Sequence, residues 1–301
     1  MISFFRVCIV VFAAFAVGVC SHAAAANKAL PAETTREIDL SSCFEGIHGT
    51  AVFFQPHEHS YAVYQKALSE KESSPCSTFK IFSTYAGLDS GLIDVHHSVR
   101  PWNGTIYWNE SWNRDIGLPE AFHLSCVWYY RQVIDDIGPA AMQSYLDTFQ
   151  YGNRDMSDWK GDLNTNEPLY DLKGFWIESS LKISPKEQVQ VLHRLMTTGA
   201  DGEKADVIAA LKKLMFVADD DDMGITVYGK TGYGVVDGKP ADAWFVGMYD
   251  KNGETTYFAV RLQDPENPRA DSKAAKEIAL RSIKTYIQMT DMAKGRESIK
   301  I

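Results

Sequence analysis

Apolar residues follow three patterns along this chain, and each pattern predicts a different element. Short runs of β-branched and aromatic residues between turn residues predict strands at 49–54, 61–64, 225–228, 244–249 and 255–262. Apolar positions at helical spacing predict helices over 77–90, 122–137, 140–149, 184–196, 204–214 and 273–289. A continuous apolar run covers Val7 to Val19 at the amino end.

The order of these elements predicts an α/β (α+β) fold. A polar turn at 55–60 joins the first two strands as an antiparallel hairpin, and the last three strands follow one another as a meander. We therefore expect one antiparallel sheet flanked by terminal helices, with the central helices as a second, mainly helical lobe. Residues 27–301 are long enough for a single domain of two interleaved lobes.

Three polar segments lack a clear period. The stretch 101–114 is rich in tryptophan and is predicted to be irregular. The stretch 154–175 is long for a loop without secondary structure, which is more typical of a functional segment than of an idle one. The acidic run 219–222 lacks the spaced ligands and turn glycine of a calcium loop, so it is predicted to be a hydrated connection, and we expect no metal site.

The amino-terminal apolar run is too short to span a bilayer comfortably and follows a single positive charge at Arg6. Small residues at 23–26 offer cleavage sites, so residues 1–26 are predicted to be a signal peptide and the mature chain to be exported to the periplasm. No later segment has eighteen uninterrupted apolar residues, so no membrane span is expected in the mature chain. A net charge of −9 argues against nucleic acid as a partner.

Three cysteines follow the predicted cleavage site: Cys43, Cys76 and Cys126. In an oxidising compartment an odd number leaves at least one thiol unpaired. Cys76 and Cys126 can lie near each other, and the sequence leaves open whether any two of the three pair or all are small buried hydrophobic residues.

Ser77 and Lys80 stand three residues apart at a predicted helix start. Residues at this spacing share a helix face, so the Lys80 amine can reach the Ser77 hydroxyl and act as the base that a nucleophilic serine needs. The same spacing recurs at Ser157/Lys160 and at Ser179/Lys182, so the spacing alone is unspecific.

Further motifs accompany Ser77, and their order is more specific than any one of them. They are Ser77-Thr78-Phe79-Lys80, Ser125-Cys126-Val127, Tyr151-Gly152-Asn153, the run 175–184, Lys230-Thr231-Gly232 and Trp244-Phe245-Val246-Gly247. Through these motifs nearly the whole mature chain resembles the class D β-lactamases, or oxacillinases, of the penicillin-recognising serine enzymes. The resemblance implies a β-lactamase/transpeptidase-like fold and small-molecule β-lactam substrates.

In that family the serine matching Ser77 attacks the lactam carbonyl and forms an acyl-enzyme, which water then hydrolyses. The lysine matching Lys80 is carboxylated by carbon dioxide and serves as general base, and no other cofactor is implied. Val127 and Ile177 would wall its apolar pocket, and Trp176 would donate its indole N–H to the carbamate. Ile177 stands where the family more often has leucine.

The resemblance also implies roles around the substrate. Ser125 would relay a proton between the lactam nitrogen and Lys80 or Lys230. The backbone N–H groups of Ser77 and Tyr233 would form the oxyanion hole.

Lys230 and Thr231 would hold the substrate carboxylate, and Gly232 would let an extended substrate lie against the strand edge. An arginine before the last helix would be a second carboxylate anchor, with Arg269 as the better-placed candidate and Arg261 as the other. The Tyr151 motif is expected to shape the lobe junction.

Two rival functions share parts of this pattern. The sensor domain of a membrane-bound β-lactam receptor has the serine, lysine and Lys-Thr-Gly motifs but stops at the acyl stage. A D-alanyl-D-alanine transpeptidase or carboxypeptidase also acylates its serine, although Phe175-Trp176 favours the lactamase. The sequence leaves open the range of β-lactams and whether the protein is a monomer or a homodimer.

Overall fold

A computed structural model describes residues 32–159, 174–199 and 202–298 of the chain. The predicted signal peptide lies outside these residues, as does most of the predicted functional loop at 154–175. The part from Ala32 onward forms one compact unit. No helix in these three ranges is long and apolar enough to cross a membrane.

The described residues form a mixed α/β structure around a seven-stranded sheet, as the sequence predicts. Its strand order is β1-β3-β2-β7-β6-β5-β4. All neighbouring strands are antiparallel except β1 and β3. The strands are β1 (Thr34–Glu37), β2 (Gly49–Gln55), β3 (Ser60–Tyr64), β4 (Phe216–Asp220), β5 (Ile225–Val236), β6 (Lys239–Lys251) and β7 (Glu254–Leu262).

Helices cover both faces of this sheet, and two 3₁₀ turns lie at Cys76–Thr78 and Glu110–Trp112. The described α-helices are α1 (Ser41–Phe44), α2 (Lys66–Ser69), α3 (Phe79–Asp89), α4 (Leu118–His123), α5 (Val127–Ile137), α6 (Pro139–Phe149), α7 (Pro185–Thr197), α8 (Ala205–Met215) and α9 (Ser272–Ser298).

The sheet separates two hydrophobic cores because successive strand residues point to opposite faces. On β2, Val52 and Phe54 join the core shared with the central helices. Ala51 and Phe53 join the core beneath α9, where Phe53 stacks on Tyr286 with ring centroids 4.4 Å apart. The chain thus has a helical lobe on one face and its terminal helix on the other.

Several predicted elements are confirmed with small shifts at their ends. The β2–β3 hairpin pairs Ala51 with Tyr64 through to Gln55 with Ser60. Helix α7 begins with a capping box, in which Ser184 and Glu187 satisfy each other's backbone N–H groups, and Pro185 occupies its first turn. These local signals explain why its start is readable from sequence.

The predicted helix over 122–137 is wrong as a single element. Helix α4 ends at His123 and α5 begins at Val127. Between them Ser125 has a φ of 55°, in the left-handed region, which no helix interior allows. Hydrophobic periodicity continues through this break because residues on both sides pack into one core, and the break presents Ser125 on a tight turn.

Two edge strands also differ from the expectation. The predicted hydrated connection at 219–222 is in part strand, since β4 runs to Asp220 and pairs with the beginning of β5. Strand β1 has four exposed residues and therefore carries no hydrophobic signal. Edge strands of this kind are held by backbone pairing more than by burial.

Candidate active site

The turn at Cys76–Thr78 presents Ser77 just before α3, and Lys80 lies in the first turn of that helix. The structure brings the two side chains together: Lys80 Nζ donates a hydrogen bond to Ser77 Oγ at 2.9 Å. The backbone N–H of Cys76 also donates to the carbonyl of Trp176 at 2.9 Å, which ties this turn to the segment that carries Ile177.

Lys80 is almost fully enclosed, with 1% of its surface exposed. Burial disfavours the ammonium form and lowers the pKa of Lys80 to about 8. Its Nζ lies 5.3 Å from the centre of the Tyr130 ring, and no carboxylate forms an ion pair with it in the described part of the chain. A lysine in this setting can accept a proton near neutral pH, as a general base must.

Ser125 and Lys230 form the second pair of the site. Lys230 Nζ donates to Ser125 Oγ and also to the backbone carbonyl of Thr231 at 3.2 Å. The pKa of Lys230 is held well below its ordinary value, first by burial and then by repulsion from Lys80 and Lys276. The left-handed turn at Ser125 is therefore the local feature that brings its hydroxyl to this lysine.

The edge of β5 is open next to this pair. Strand β4 pairs only with Ile225–Tyr228, so in the described part of the chain no strand covers β5 on that side from Lys230 onward. A strand edge of this kind offers unpaired backbone groups to an extended ligand.

The structure shows a packing reason for glycine at position 232, in addition to the predicted approach of the substrate. A Cβ at this position would lie 3.0 Å from the carbonyl oxygen of Pro75 and 3.1 Å from Cγ2 of Thr78. The missing side chain therefore makes room for the turn that carries Ser77, and because Gly232 also lines the cleft, its predicted place against the substrate stays a prediction. It lets β5 and the nucleophile turn approach each other closely.

A cleft of about 380 Å³ lies over these groups. Its volume is in the usual range of small-molecule sites. The predicted residues that line it are Ser77, Ser125, Val127, Ile177, Thr231, Gly232 and Tyr233. Lys80, Lys230 and Trp176 are buried and do not line the cleft.

Trp176 is enclosed in the aromatic core beside the nucleophile turn. It is 1% exposed, and its ring stacks on Phe79 with centroids 5.9 Å apart. Its Nε1 is buried and has no hydrogen-bond partner in the described part of the chain. Such a donor is costly to leave unsatisfied, so this position suits an additional acceptor group.

Neither candidate arginine is among the residues that line the cleft. Arg269 is exposed in the loop before α9 and is not among the residues that line the cleft. Arg261 is 1% exposed and donates from Nη1 to the carbonyl of Lys71 at 2.7 Å, with Nε 3.8 Å from Asp242 Oδ1. Arg261 is thus held in the packing beneath the sheet edge, and Arg269 as a second carboxylate anchor stays a prediction.

The tryptophan-rich segment supplies cleft residues that the sequence analysis missed. Trp108 is 78% exposed at the cleft and packs on Trp112 with ring centroids 5.3 Å apart. Trp112 is held by its indole N–H, which donates to the Leu124 carbonyl at 3.1 Å. The signal was available, because exposed aromatic residues in a polar segment are typical of binding surfaces. The remaining cleft residues are Asn109, His123, Leu124 and Ser272.

The Tyr151 motif joins the helical lobe to the segment that carries Trp176. Gly152 has a φ of 47°, and a Cβ there would lie 2.0 Å from the Lys182 carbonyl oxygen. Asn153 donates to the carbonyl of Ser180 at 2.9 Å and accepts from the N–H of Lys182 at 3.0 Å. These contacts give the motif a structural role, as expected.

All three cysteines are free and buried. The Cys76 thiol donates to Glu178 Oε1 at 3.1 Å, and burial raises the pKa of Cys126 to about 12. Both thiols are therefore held in the unreactive protonated form. Within the described ranges, no group of three or more histidine, cysteine or carboxylate side chains could hold a metal ion.

Comparison with known proteins places this geometry in a family. The family model described as the penicillin binding protein transpeptidase domain matches residues 48–284. The regulatory protein BlaR1 of Bacillus licheniformis is 30% identical over 256 residues, which are 84% of this chain and 40% of that protein. The β-lactamase OXA-19 of Pseudomonas aeruginosa is 30% identical over 259 residues, which are 85% of this chain and 91% of that enzyme.

A solved class D β-lactamase from Bacillus subtilis has the same fold. It superposes with a TM-score of 0.70 at 29% identity, covering 83% of this chain and 95% of that structure. The chain spans about 40% of the length of the regulatory relative but nearly all of the β-lactamases. The protein therefore belongs to the family of penicillin-binding transpeptidase domains, and its resemblance to the class D β-lactamases is confirmed by relatives of that class.

Proposed function

We propose that this protein is a serine β-lactamase of class D, which is acylated by β-lactams at Ser77 and then releases the hydrolysed product. The observation that carries the proposal is the enclosed Lys80 amine, 2.9 Å from Ser77 Oγ and with a pKa of about 8. This pairing supplies a nucleophile with its base, inside a cleft of the right size for a bicyclic β-lactam.

In the acylation step, Ser77 Oγ bonds to the lactam carbonyl carbon and the ring carbon–nitrogen bond breaks. The Oγ proton passes towards Lys80, and the Ser125 hydroxyl gives its proton to the leaving nitrogen. Lys230 then returns a proton to Ser125 Oγ along their hydrogen bond. Each transfer runs between groups that are in contact or face the same cleft.

We further propose that Lys80 is carboxylated by carbon dioxide. The residues present fit this group: the amine has a pKa low enough to be partly neutral, and the buried indole N–H of Trp176 has no acceptor among the described residues. When bound, the carbamate supplies an anionic oxygen base. Val127 and Ile177 line the cleft together with Ser77. We propose that their apolar side chains restrict water near Lys80 and so favour its neutral amine.

Substrate orientation would come from β5. Thr231 and Tyr233 line the cleft along the open edge, and Lys230 lies beneath them with its charge directed at Ser125 and Thr231. A β-lactam carboxylate can accept from the Thr231 hydroxyl, while the acyl group runs antiparallel to the strand. The backbone N–H groups of Ser77 and Tyr233 remain the proposed oxyanion hole.

A sensor that is acylated but does not turn over is the second candidate. It is favoured by the similarity to BlaR1, which has the same 30% identity as OXA-19. The two functions share every step up to the acyl-enzyme and differ in whether water then attacks it. The two functions are therefore distinguished by whether Lys80 serves as a base for the attacking water after acylation.

Steady-state hydrolysis of a chromogenic cephalosporin by the purified protein tests the proposal. We expect many turnovers per protein molecule, and none for Ser77→Ala. A single stoichiometric burst of colour without further turnover would support the sensor instead. No reaction in either protein would reject both functions.

A further inference from the structure

Residues 68–74, which we call the lead segment, run through Pro75 into the nucleophile turn. Arg261 of β7 binds this segment with two N–H groups: Nη1 donates to the Lys71 carbonyl at 2.7 Å and Nη2 to the Leu68 carbonyl at 3.3 Å. The sheet thus holds the backbone just ahead of the nucleophile.

Asp242 of β6 holds the same segment beside Arg261. It is 3% exposed, and its Oδ2 accepts a hydrogen bond from the Ser73 hydroxyl. Its Oδ1 lies 3.8 Å from Arg261 Nε, within ion-pair range but beyond a hydrogen bond. Trp244, below the Arg261 guanidinium, adds a third contact by donating from Nε1 to the Ser74 carbonyl at 3.0 Å. Because both charges are buried, losing either one leaves the other uncompensated.

The lead segment also holds the segment that carries Trp176. Ser73 and Ile183 exchange both backbone hydrogen bonds, at 3.0 and 2.8 Å. Ser74 Oγ accepts from the backbone N–H of Ser179 at 3.3 Å. A displacement of the lead segment would therefore move the Trp176 segment and the nucleophile turn relative to the sheet.

We propose that Asp242 is a positioning residue, which fixes the lead segment together with Arg261 and so sets where Ser77 and Trp176 lie in the site. Neither Asp242 nor Arg261 lines the cleft, so both act through the backbone that they hold. The kinetic consequence of this role rests on the proposed acylation of Ser77, whereas the structural consequence does not.

The charge of Asp242 gives this role a measurable signature. Burial raises the pKa of Asp242 to about 6, although the Ser73 hydrogen bond and the Arg261 charge both act to lower it. The other titratable groups that interact with it are Glu178, Lys182 and Cys76. As the pH falls through about 6, Asp242 gains a proton, loses its attraction for Arg261 and becomes a weaker acceptor for Ser73.

The indole N–H resonances of Trp244 and Trp176 in nitrogen-15-labelled protein test the structural consequence without a β-lactam. Trp244 is close to Asp242 in β6 and reports its charge, whereas Trp176 reports the segment that the lead segment holds. We expect both resonances to shift with a midpoint near pH 6, and neither to do so in Asp242→Asn. Lys80 titrates separately, since its pKa is about 8.

A Trp176 resonance that stays still while that of Trp244 titrates would overturn the proposal, because Asp242 would then change charge without moving the Trp176 segment. The absence of any shift in wild type near this pH, or its persistence in Asp242→Asn, would overturn it as well.

Ser73→Ala is a smaller change, which leaves the Asp242–Arg261 pair and removes only the hydroxyl. Because the Ser73 hydrogen bond lowers the pKa of Asp242, the midpoint should move to higher pH in Ser73→Ala and return in Ser73→Thr. Ser69→Ala is the matched control, since the buried Ser69 hydroxyl donates to the Lys66 carbonyl of its own helix at 2.7 Å. An unchanged midpoint in Ser73→Ala would contradict the contact on which the proposal depends.

Labelling kinetics with benzylpenicillin at neutral pH measure the consequence for Ser77. We expect Ser73→Ala to be acylated about tenfold more slowly at saturating penicillin, with the same concentration for half-maximal rate, because Ser73 does not line the cleft. Ser73→Thr and Ser69→Ala should keep the wild-type rate, and thermal unfolding checks that all variants are folded. Equal rates in Ser73→Ala and wild type would overturn the positioning role, whereas a wild type that is not acylated would reject the proposed function and leave the NMR titration to decide the role of Asp242.

Discussion

The chain contains two Ser-x-x-Lys spacings within its described residues, and the two differ in backbone conformation and in side-chain contacts. At Ser77 and Lys80 the spacing begins a helix, and the amine reaches the hydroxyl at 2.9 Å. At Ser179 and Lys182 the backbone is irregular, and the Ser179 hydroxyl donates to Asp158 Oδ2 at 2.6 Å instead. The third spacing includes Lys160, which lies outside the described residues.

This difference shows what makes a serine reactive. Three residues of separation bring side chains together only where the backbone is helical. Burial must then lower the pKa of the lysine, as it does for Lys80, whereas Lys182 is half-buried and is bound through its backbone groups to Asn153. Spacing, helix start and enclosure are all needed.

The largest expected effect comes from removing the nucleophile. Ser77→Ala should abolish both covalent labelling by penicillin and hydrolysis, a loss on the order of a thousandfold or more in rate. Ser179→Ala, the matched variant at the other spacing, should keep both. Intact-mass measurement after exposure to penicillin shows which of the two variants is still labelled. An adduct that persists in Ser77→Ala would contradict the assignment of Ser77 as the nucleophile.

The pH dependence of acylation should follow Lys80. Its pKa is lowered to about 8, so the amine gains a proton as the pH falls through about 8, and the rate of acylation should fall with it when carbon dioxide is removed. Lys80→Met should abolish this dependence along with most activity, while Lys182→Met should retain it.

The same measurement examines the proposed carbamate. Added bicarbonate should restore rate at mildly acidic pH, and a carbamate signal from labelled bicarbonate should appear in carbon NMR of wild type and be missing in Lys80→Met. A rate that is indifferent to bicarbonate, together with no such signal, would count against carboxylation.

Trp176→Phe keeps an aromatic ring beside Phe79 and removes the indole donor, together with part of the buried ring. We expect deacylation to slow about a hundredfold, or roughly 2.7 kcal/mol, while acylation changes much less. Stopped-flow traces should then show a burst followed by a slow phase. Trp159→Phe is the control, because Trp159 also has a buried indole nitrogen with no partner among the described residues, but its ring stacks on Phe175.

The smallest expected effect is at the contact between β5 and the nucleophile turn. Gly232→Ala would press a Cβ against Pro75 and Thr78, so we expect the turn to shift and acylation to slow about tenfold. Gly202→Ala should be neutral, since a Cβ there meets no described atom closer than 4.0 Å. Equal acylation rates in the two variants would show that this close approach does not position Ser77.

Much of the fold could be predicted because its signals are local. The β2–β3 hairpin and the capping box of α7 depend on residues within one element. The break at Ser125 could not be predicted in this way. Its left-handed backbone interrupts a continuous pattern of apolar residues and is imposed by the packing on both sides. Strand β1 was missed because all of its residues are exposed.

The residues of the candidate site also divide into those with a local sequence signal and those brought together only by packing. Ser77 and Lys80 were found together because their spacing has a meaning on a helix. Lys276, whose charge helps to lower the pKa of Lys230, was not found, because it comes near that strand only through the packing of α9 against the sheet, 46 residues later in the chain. The arginine predicted as a second carboxylate anchor could not be fixed from position alone: burial holds Arg261 in other contacts, while the role of exposed Arg269 stays a prediction.

The most direct test of β-lactam turnover at Ser77 is a time course of intact mass after one equivalent of benzylpenicillin. We expect an adduct of one penicillin, located on Ser77 by peptide mapping, that forms quickly and returns to the unmodified mass as product appears. An adduct that stays for hours would contradict turnover and identify a sensor. An adduct on any other residue, or none, would contradict the role of Ser77 itself.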